Sequence, residues 1–203
     1  MPFLSSGCYV ESGEKAYEAE SAYYLEFQIK SALYSMERIY KGFDGGFDSK
    51  YQYYHYYTDH LLFSLGQICN RFVIDEKDQG ITLERKQANR NNFEFTEEKY
   101  PILSDKRGRN TIEHIDEHDQ KIIEKENGVG GFNLIDSETS ADLIETFRSK
   151  RKTHIYTLDL INGTLLISRK EKKIDISLDE IKKELLALYA RVTYVKEFLQ
   201  KVF

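Results

Sequence analysis

Apolar residues recur at alternating steps of three and four along three stretches of the chain, residues 14–41, 50–72 and 177–203. This spacing puts the apolar side chains on one face of an α-helix, so each stretch is predicted to be an amphipathic helix. A capping box at residues 177–180 marks the start of the third helix. The glycine-rich residues 42–49 predict that the first two helices pack antiparallel. The predicted core positions are Ala22, Leu25, Ile29, Ala32, Met36, Ile39 and Phe43, then Tyr54, Tyr57, Leu61, Leu65, Ile68 and Phe72, and finally Ile181, Leu185, Leu188, Val192, Val195 and Leu199.

A different period appears before the last helix. Residues 153–160 alternate between apolar and polar, which is typical of a strand with one buried face. The dipeptide Asn162-Gly163 is the favoured two-residue hairpin turn, so residues 164–168 are predicted to return antiparallel, with 174–176 as a third strand. Such a small sheet is not stable alone and must pack against the helices.

The polar region between the second helix and Pro101 gives weaker signals. Residues 83–88 predict a short helix, and the run 89–92, Asn-Arg-Asn-Asn, is expected to break it. Phe93 and Phe95 are expected to cap the core.

Residues 105–128 predict a fourth helix, which begins after Pro101 and ends at Gly128. Its isoleucines fall on one arc, the predicted core face. Asn110, His114 and His118 fall on the opposite side, so this polar face must meet water, a ligand or a second subunit.

Length and composition place these elements in one domain. The chain has 203 residues, of which 40% are hydrophobic and 31% charged, as in ordinary soluble globular proteins. We therefore expect a single domain, 1–203, with a helical core over 14–128, a β-hairpin insertion over 129–176 and a C-terminal core helix over 177–203. The fold class is mainly α: a bundle of four or more helices with a small antiparallel β-hairpin before the last helix.

Localisation and partners follow from the same composition. Neither an apolar run near eighteen residues nor an N-terminal leader pattern is present, so we expect a cytoplasmic protein without membrane contact. A net charge of -5 argues against broad binding to duplex nucleic acid. Positive charge is concentrated at Lys106, Arg107 and Arg109, where it could guide a phosphate backbone.

The polar face of the fourth helix carries the most reactive side chains. Imidazole titrates near neutrality and moves protons, and a guanidinium stabilises a phosphate oxygen. His114 as proton-transfer group and Arg109 as charge-stabilising group therefore suit phosphodiester cleavage without a metal. Because the two lie five residues apart, Arg109 must sit on the helix entry turn, or another subunit must complete the pair.

The segment Arg109-Asn110-Thr111-Ile112-Glu113-His114 resembles the HEPN superfamily, helical domains whose nuclease members carry Arg, four to six residues, then His. The resemblance implies a HEPN-like bundle and a metal-independent endoribonuclease whose two motif copies face each other across a homodimer. It also implies a toxin or phage-defence effector, with RNA as substrate and an antitoxin or other regulatory protein as partner. His114 would be the acid–base residue, Arg109 the phosphate-stabilising residue and Asn110 a positioning residue, with Glu113 and His118 as secondary candidates.

Metal chemistry is an alternative for the same segment. His114 to His118 matches the His-x-x-Glu-His pattern of inverted zinc peptidases, but nothing in the sequence identifies a third ligand. A di-iron site needs Glu-x-x-His, which is absent, and Cys8 and Cys69 stand too far apart in the sequence for a Cys-based site. We therefore expect neither metal nor cofactor. The principal alternative is a non-enzymatic helical module that binds RNA, a nucleotide or a protein.

The second helix is unusually rich in tyrosine. Tyr51, Tyr53 and Tyr56 lie off its apolar seam and could stack on unpaired bases, although packing in the core or at a dimer interface is favoured. His55 and His60 are expected at the surface.

Overall fold

The computed structural model of the protein describes residues 4–5, 8–9, 14–105, 131–149, 156–169 and 172–202, and in these the fold is mainly helical with a small sheet. The described helices are α1 Glu14–Lys41, α2 Lys50–Phe72, α3 Gly80–Asn92, α4 Ala141–Ser149 and α5 Leu178–Val202. The described strands are β1 Leu4–Ser5, β2 Cys8–Tyr9, β3 Phe132–Ile135, β4 Tyr156–Asp159, β5 Thr164–Arg169 and β6 Lys172–Ser177. Within these ranges, none of the helices is both long enough and apolar enough to cross a membrane.

Helix α1 packs between α2 and α5. Its Tyr24 hydroxyl donates to Gln67 of α2 at 2.6 Å, and its Tyr40 hydroxyl donates to Asp179 of α5 at 2.8 Å. The predicted seams are confirmed, since nearly all of their residues are buried or packed against the core. Phe43 is the exception, at 41% exposure. It lies beyond the end of α1, after Gly42 has turned the chain with a φ of 86°.

The sheet has the order β3-β4-β5-β6. The predicted antiparallel hairpin is confirmed, with Leu158 opposite Leu165. The predicted two-residue turn is wrong, because Asp159 pairs with Thr164, so the four residues 160–163 connect the strands, and of the pair Asn162-Gly163 only Gly163 has a positive φ, 62°. The expectation of a purely antiparallel element is wrong, because β3 pairs parallel with β4. Helix α4 lies within the connection between these two strands, so β3, α4 and β4 form a βαβ unit. With only four residues, β3 is too short for its periodicity to show in the sequence.

Helix α3 runs through the residues that were expected to break it. Asn89 is 1% exposed, and its side-chain amide donates to the carbonyl of Arg71 at 3.1 Å and to the Tyr17 hydroxyl at 3.2 Å. Asn92 donates in the same way to Glu18 at 2.9 Å. The predicted break was therefore wrong because these amides bind neighbouring helices instead of competing with their own backbone.

A buried carboxylate holds the turn that follows α3. Phe93 and Phe95 are buried as predicted, and the Phe95 ring stacks on Tyr100 with centroids 4.8 Å apart. Glu184 of α5 is 9% exposed and accepts hydrogen bonds from the backbone amides of Ile102 and Leu103 at 2.9 to 3.1 Å. Burial raises the pKa of Glu184, and the two amides only partly offset that effect. Its side chain therefore fixes residues 101–104 against α5.

We predict that Glu184→Ala lowers the free energy of unfolding by about 2 to 5 kcal/mol, because two amides lose their acceptor in a buried position. Glu184→Gln keeps an acceptor oxygen without the cost of a buried charge, so it should lose less than half as much. Urea unfolding followed by circular dichroism measures both variants. Equal losses for Ala and Gln would show that the hydrogen bonds contribute little.

A pH dependence follows from the same carboxyl group. Because its pKa is raised in the folded protein, the unfolded chain releases the proton first as pH rises. The stability of the wild type relative to Glu184→Gln should therefore fall as pH rises from the ordinary value of 4.5 through the raised pKa. Paired urea titrations across this range measure the difference. A difference that grows in favour of the wild type would contradict the expectation.

Candidate functional site

The residues that the sequence nominates for chemistry lie outside the described part of the chain. These are Lys106, Arg107, Arg109, Asn110, Glu113, His114 and His118, which include both the HEPN-like motif and the alternative zinc pattern. The described chain leads to this segment at Asp105, after the turn held by Glu184, and continues from Gly131 into β3. Their mutual geometry therefore stays a prediction.

A cleft of about 410 Å³ lies between the start of α2, strand β3 and the first turns of α4. One wall is apolar and the other is polar. The apolar wall consists of Tyr51, Leu134, Leu143 and Phe147, and the polar wall of Asn133, Asp136, Glu138, Thr139 and Ser140. Its place after β3 is informative, because ligands of open sheets with parallel strands bind outside the carboxyl ends of those strands.

The polar wall is a tight turn that joins β3 to α4. The Asp136 carboxylate accepts from the Glu138 amide at 2.9 Å and from the Thr139 hydroxyl at 3.0 Å, and Lys50 of α2 binds its other oxygen at 2.6 Å. Burial alone would raise the pKa of Asp136, but the bonds from Lys50, Glu138 and Thr139 outweigh it and lower that pKa. The ion pair with Asp136 raises the pKa of Lys50. The turn is thus held in one conformation beside α2.

Tyr51 forms the apolar end of the cleft. Its hydroxyl donates to the backbone carbonyl of Phe132 at 2.5 Å, and its ring centroid lies 5.3 Å from that of Phe132. Burial of the phenol raises the pKa of Tyr51. The residue as a whole is nevertheless 46% exposed. One end of the side chain is therefore anchored to β3 while much of its surface remains accessible.

A histidine–aspartate pair adjoins Tyr51 on α2. The His55 ring stacks on Phe132, with centroids 5.1 Å apart and planes 10° apart, and its Nε2 lies 3.3 Å from the Asp59 carboxylate. The buried Tyr156 hydroxyl donates to the same carboxylate. Stacking and the carboxylate together fix the orientation of the imidazole, as is required of a residue that moves protons or supports a planar ligand.

One polar atom of the cleft wall is left without a partner. The side-chain nitrogen of Asn133 is buried and donates to none of the described residues. A buried donor without an acceptor costs about 1 to 3 kcal/mol. If the Asn133 side chain turned toward the cleft, a ligand acceptor there would recover part of this cost.

The favoured prediction for the tyrosines off the seam of α2, packing in the core or at an interface, is confirmed for Tyr53, which is fully buried and whose hydroxyl donates to the carbonyl of Arg38 at 2.6 Å. Tyr51 and Tyr56 are 46% and 45% exposed, so neither of them packs in the core. His60 is exposed as expected, and His55 is half-buried. The sequence did not reveal Asn133, because its strand is too short to carry a periodic signal.

Metal binding has no support in the described ranges, where no group of three His, Cys, Asp or Glu side chains is placed to hold an ion.

Comparison with known proteins adds no assignment: no family model, curated protein or solved structure matches the chain. The HEPN resemblance therefore rests on the sequence motif.

We predict that Asp59→Ala lowers the free energy of unfolding by about 1 to 2 kcal/mol, because the buried Tyr156 hydroxyl loses a charged acceptor. Loss of the exposed contact between Asp59 and His55 should add little to this loss of stability. Asp59→Asn, which keeps one acceptor, is the matched control and should lose less. Thermal unfolding measures both variants, and an unchanged midpoint for the Ala variant would mean that the bond contributes nothing to stability.

Proposed function

We propose that the protein is a metal-independent endoribonuclease of HEPN type that acts on single-stranded or loop RNA as a homodimer. The observation that carries this proposal is the spacing of Arg109 and His114 in the sequence, with Asn110 directly after the arginine. Lys106 and Arg107 add positive charge for the RNA backbone. In the cytoplasm, such an enzyme would serve as a toxin or a phage-defence effector, restrained by an antitoxin or another regulatory protein.

In the proposed reaction, the 2'-hydroxyl of RNA attacks the adjacent phosphorus and the bond to the 5'-oxygen breaks. His114 of one motif copy takes the proton from the 2'-hydroxyl, and His114 of the second copy gives a proton to the leaving oxygen. Arg109 stabilises the charge that develops on the phosphate, and Asn110 positions it. The products are a cyclic phosphate and a free 5'-hydroxyl. Glu113 and His118 are secondary candidates that would orient His114 or shape the pocket.

The described structure supports this proposal indirectly. It is mainly helical, as the resemblance implies, and Glu184 fixes the turn that directly precedes the motif segment. A fixed entry turn limits the directions in which the following residues leave the core. Such restraint suits a segment whose arginine and histidine must meet one phosphate.

A second candidate is a non-enzymatic module that binds RNA, a nucleotide or a protein. The cleft beside Tyr51 favours it, because an unpartnered Asn133 amide and an exposed ring need no catalytic group to bind a ligand. The two candidates differ in one respect that can be measured, the turnover of RNA.

We predict that the wild-type protein cuts RNA in excess EDTA and leaves DNA of the same sequence intact, because DNA lacks the attacking hydroxyl. His114→Ala should lose at least about 100-fold in cleavage rate, in keeping with the loss of a proton-transfer residue, while its circular dichroism spectrum is unchanged. Gel analysis of labelled RNA and DNA measures the rates.

The matched control is His60→Ala, which removes an exposed histidine from the described surface of α2 and should cut like the wild type. Equal cleavage of RNA and DNA would contradict the 2'-hydroxyl mechanism. Absence of RNA cleavage by the wild type would favour the non-enzymatic module.

A further inference from the structure

We propose that the cleft between α2, β3 and α4 is a subsite that holds one unpaired nucleobase of the RNA, stacked on Tyr51 with its edge at Asn133. This inference rests on the proposed function, because it assigns part of the RNA substrate to a cleft built from described residues.

The size of the cleft suits a single nucleoside. Its volume of about 410 Å³ lies at the lower end of the range for small-molecule sites. The cleft is open to solvent on one side, so a base can enter while its sugar and phosphates remain outside. A duplex cannot offer a base in this way without unstacking it, which makes single-stranded RNA the matching substrate.

The Tyr51 ring provides the stacking surface. Its hydroxyl is held by the Phe132 carbonyl and its ring packs near His55 and Phe132, so the ring cannot swing freely. A fixed aromatic ring loses little conformational entropy when a base stacks on it. Phe147, on α4, adds a second aromatic side chain to the lining.

The polar wall supplies hydrogen bonds for the edge of the base. Asn133 lines the cleft, and its buried side-chain nitrogen has no partner among the described residues, so a turn of the side chain toward the cleft would let it donate to a ring nitrogen or a carbonyl oxygen of the base. The Ser140 hydroxyl accepts from the Leu143 amide at 3.4 Å, which leaves its own hydrogen free to donate to the ligand. Both groups are hydrogen-bond donors, and every nucleobase carries an acceptor.

The charge of the cleft favours a base over a phosphate. Asp136 and Glu138 both lie in the wall, and the cation beside them, Lys50, is already bound to both carboxylates, at 2.6 and 3.2 Å. None of the described residues that line the cleft is positively charged, so a phosphate placed here would be repelled by these carboxylates, whereas an uncharged base would not be. The backbone is therefore expected to pass outside the rim.

The test measures binding separately from cleavage. The probe is a fluorescein-labelled 2'-O-methyl RNA of about twelve nucleotides, which lacks the attacking hydroxyl and so cannot be cut by the proposed reaction. Fluorescence anisotropy in EDTA compares the wild type with Tyr51→Ala, Tyr51→Phe and Asn133→Ala. Tyr56→Ala is the matched control, because Tyr56 is an equally exposed tyrosine of the same helix that does not line the cleft.

We expect Tyr51→Ala to weaken binding about tenfold or more, and Asn133→Ala to weaken it about three- to tenfold. Tyr51→Phe keeps the ring and should bind within about threefold of the wild type, and Tyr56→Ala should bind like the wild type. The wild type should prefer the single strand to a duplex of the same length. Thermal unfolding checks each variant, and if Tyr51→Ala does not fold, Asn133→Ala against Tyr56→Ala decides.

Unchanged binding by folded Tyr51→Ala and Asn133→Ala would overturn the subsite, as would an equal loss in Tyr56→Ala. A wild type that binds no single-stranded RNA would also overturn it and would point to a protein ligand in the cleft. If the wild type binds the probe as expected but cuts no unmodified RNA, the subsite stands and the ribonuclease proposal fails. If the wild type cuts RNA but folded Tyr51→Ala and Asn133→Ala bind the probe as tightly as the wild type, the ribonuclease proposal stands and the subsite fails.

Discussion

The arrangement of the described elements depends on hydrogen bonds from the tyrosines of α2. A phenol hydroxyl that packs against protein usually keeps a hydrogen-bond partner, and for Tyr51 and Tyr53 these partners belong to other elements. Tyr53 reaches the carbonyl of Arg38 at the end of α1, while Tyr51 reaches the carbonyl of Phe132 in β3. Each bond therefore ties a helix end or a strand to α2, so the helical layer and the sheet are positioned by the same run of residues.

The sequence predicted those elements of the fold in which the spacing of apolar residues repeats over several turns. Helices α1, α2 and α5 carry their apolar period over many turns, and Gly163 marks the place where the chain turns back between β4 and β5, although the turn is longer than predicted. The prediction failed where the deciding contact lies far away in the chain. By residue type Asn89 favours a break, but its amide binds Arg71 and Tyr17 of other helices, and the short strand β3 is stabilised by its pairing with β4.

The two candidate sites differ in how sequence can reveal them. A motif such as Arg109 to His114 is local, so its spacing is visible without a structure. The cleft is assembled from α2, β3 and α4, and its residues are separated by as many as 96 positions from Tyr51 to Phe147. Of the cleft residues, Tyr51 could be noticed in the sequence, because a tyrosine off the apolar seam must either pack against another element or remain exposed. Asn133 could not be noticed, since a single amide in a short strand resembles any other polar residue in the sequence.

The pairing of α1 with α5 has a consequence for synthesis on the ribosome. Tyr40 binds Asp179, which is 139 residues later, and Glu26 binds Lys196, which is 170 residues later. Until α5 has left the exit tunnel, α1 and α2 can form a hairpin, but the face of α1 that α5 covers stays open to water. Contacts so distant in sequence also slow folding, because a long loop must close before they form. The nascent chain therefore exposes an apolar face of α1 until α5 has been made and can cover it.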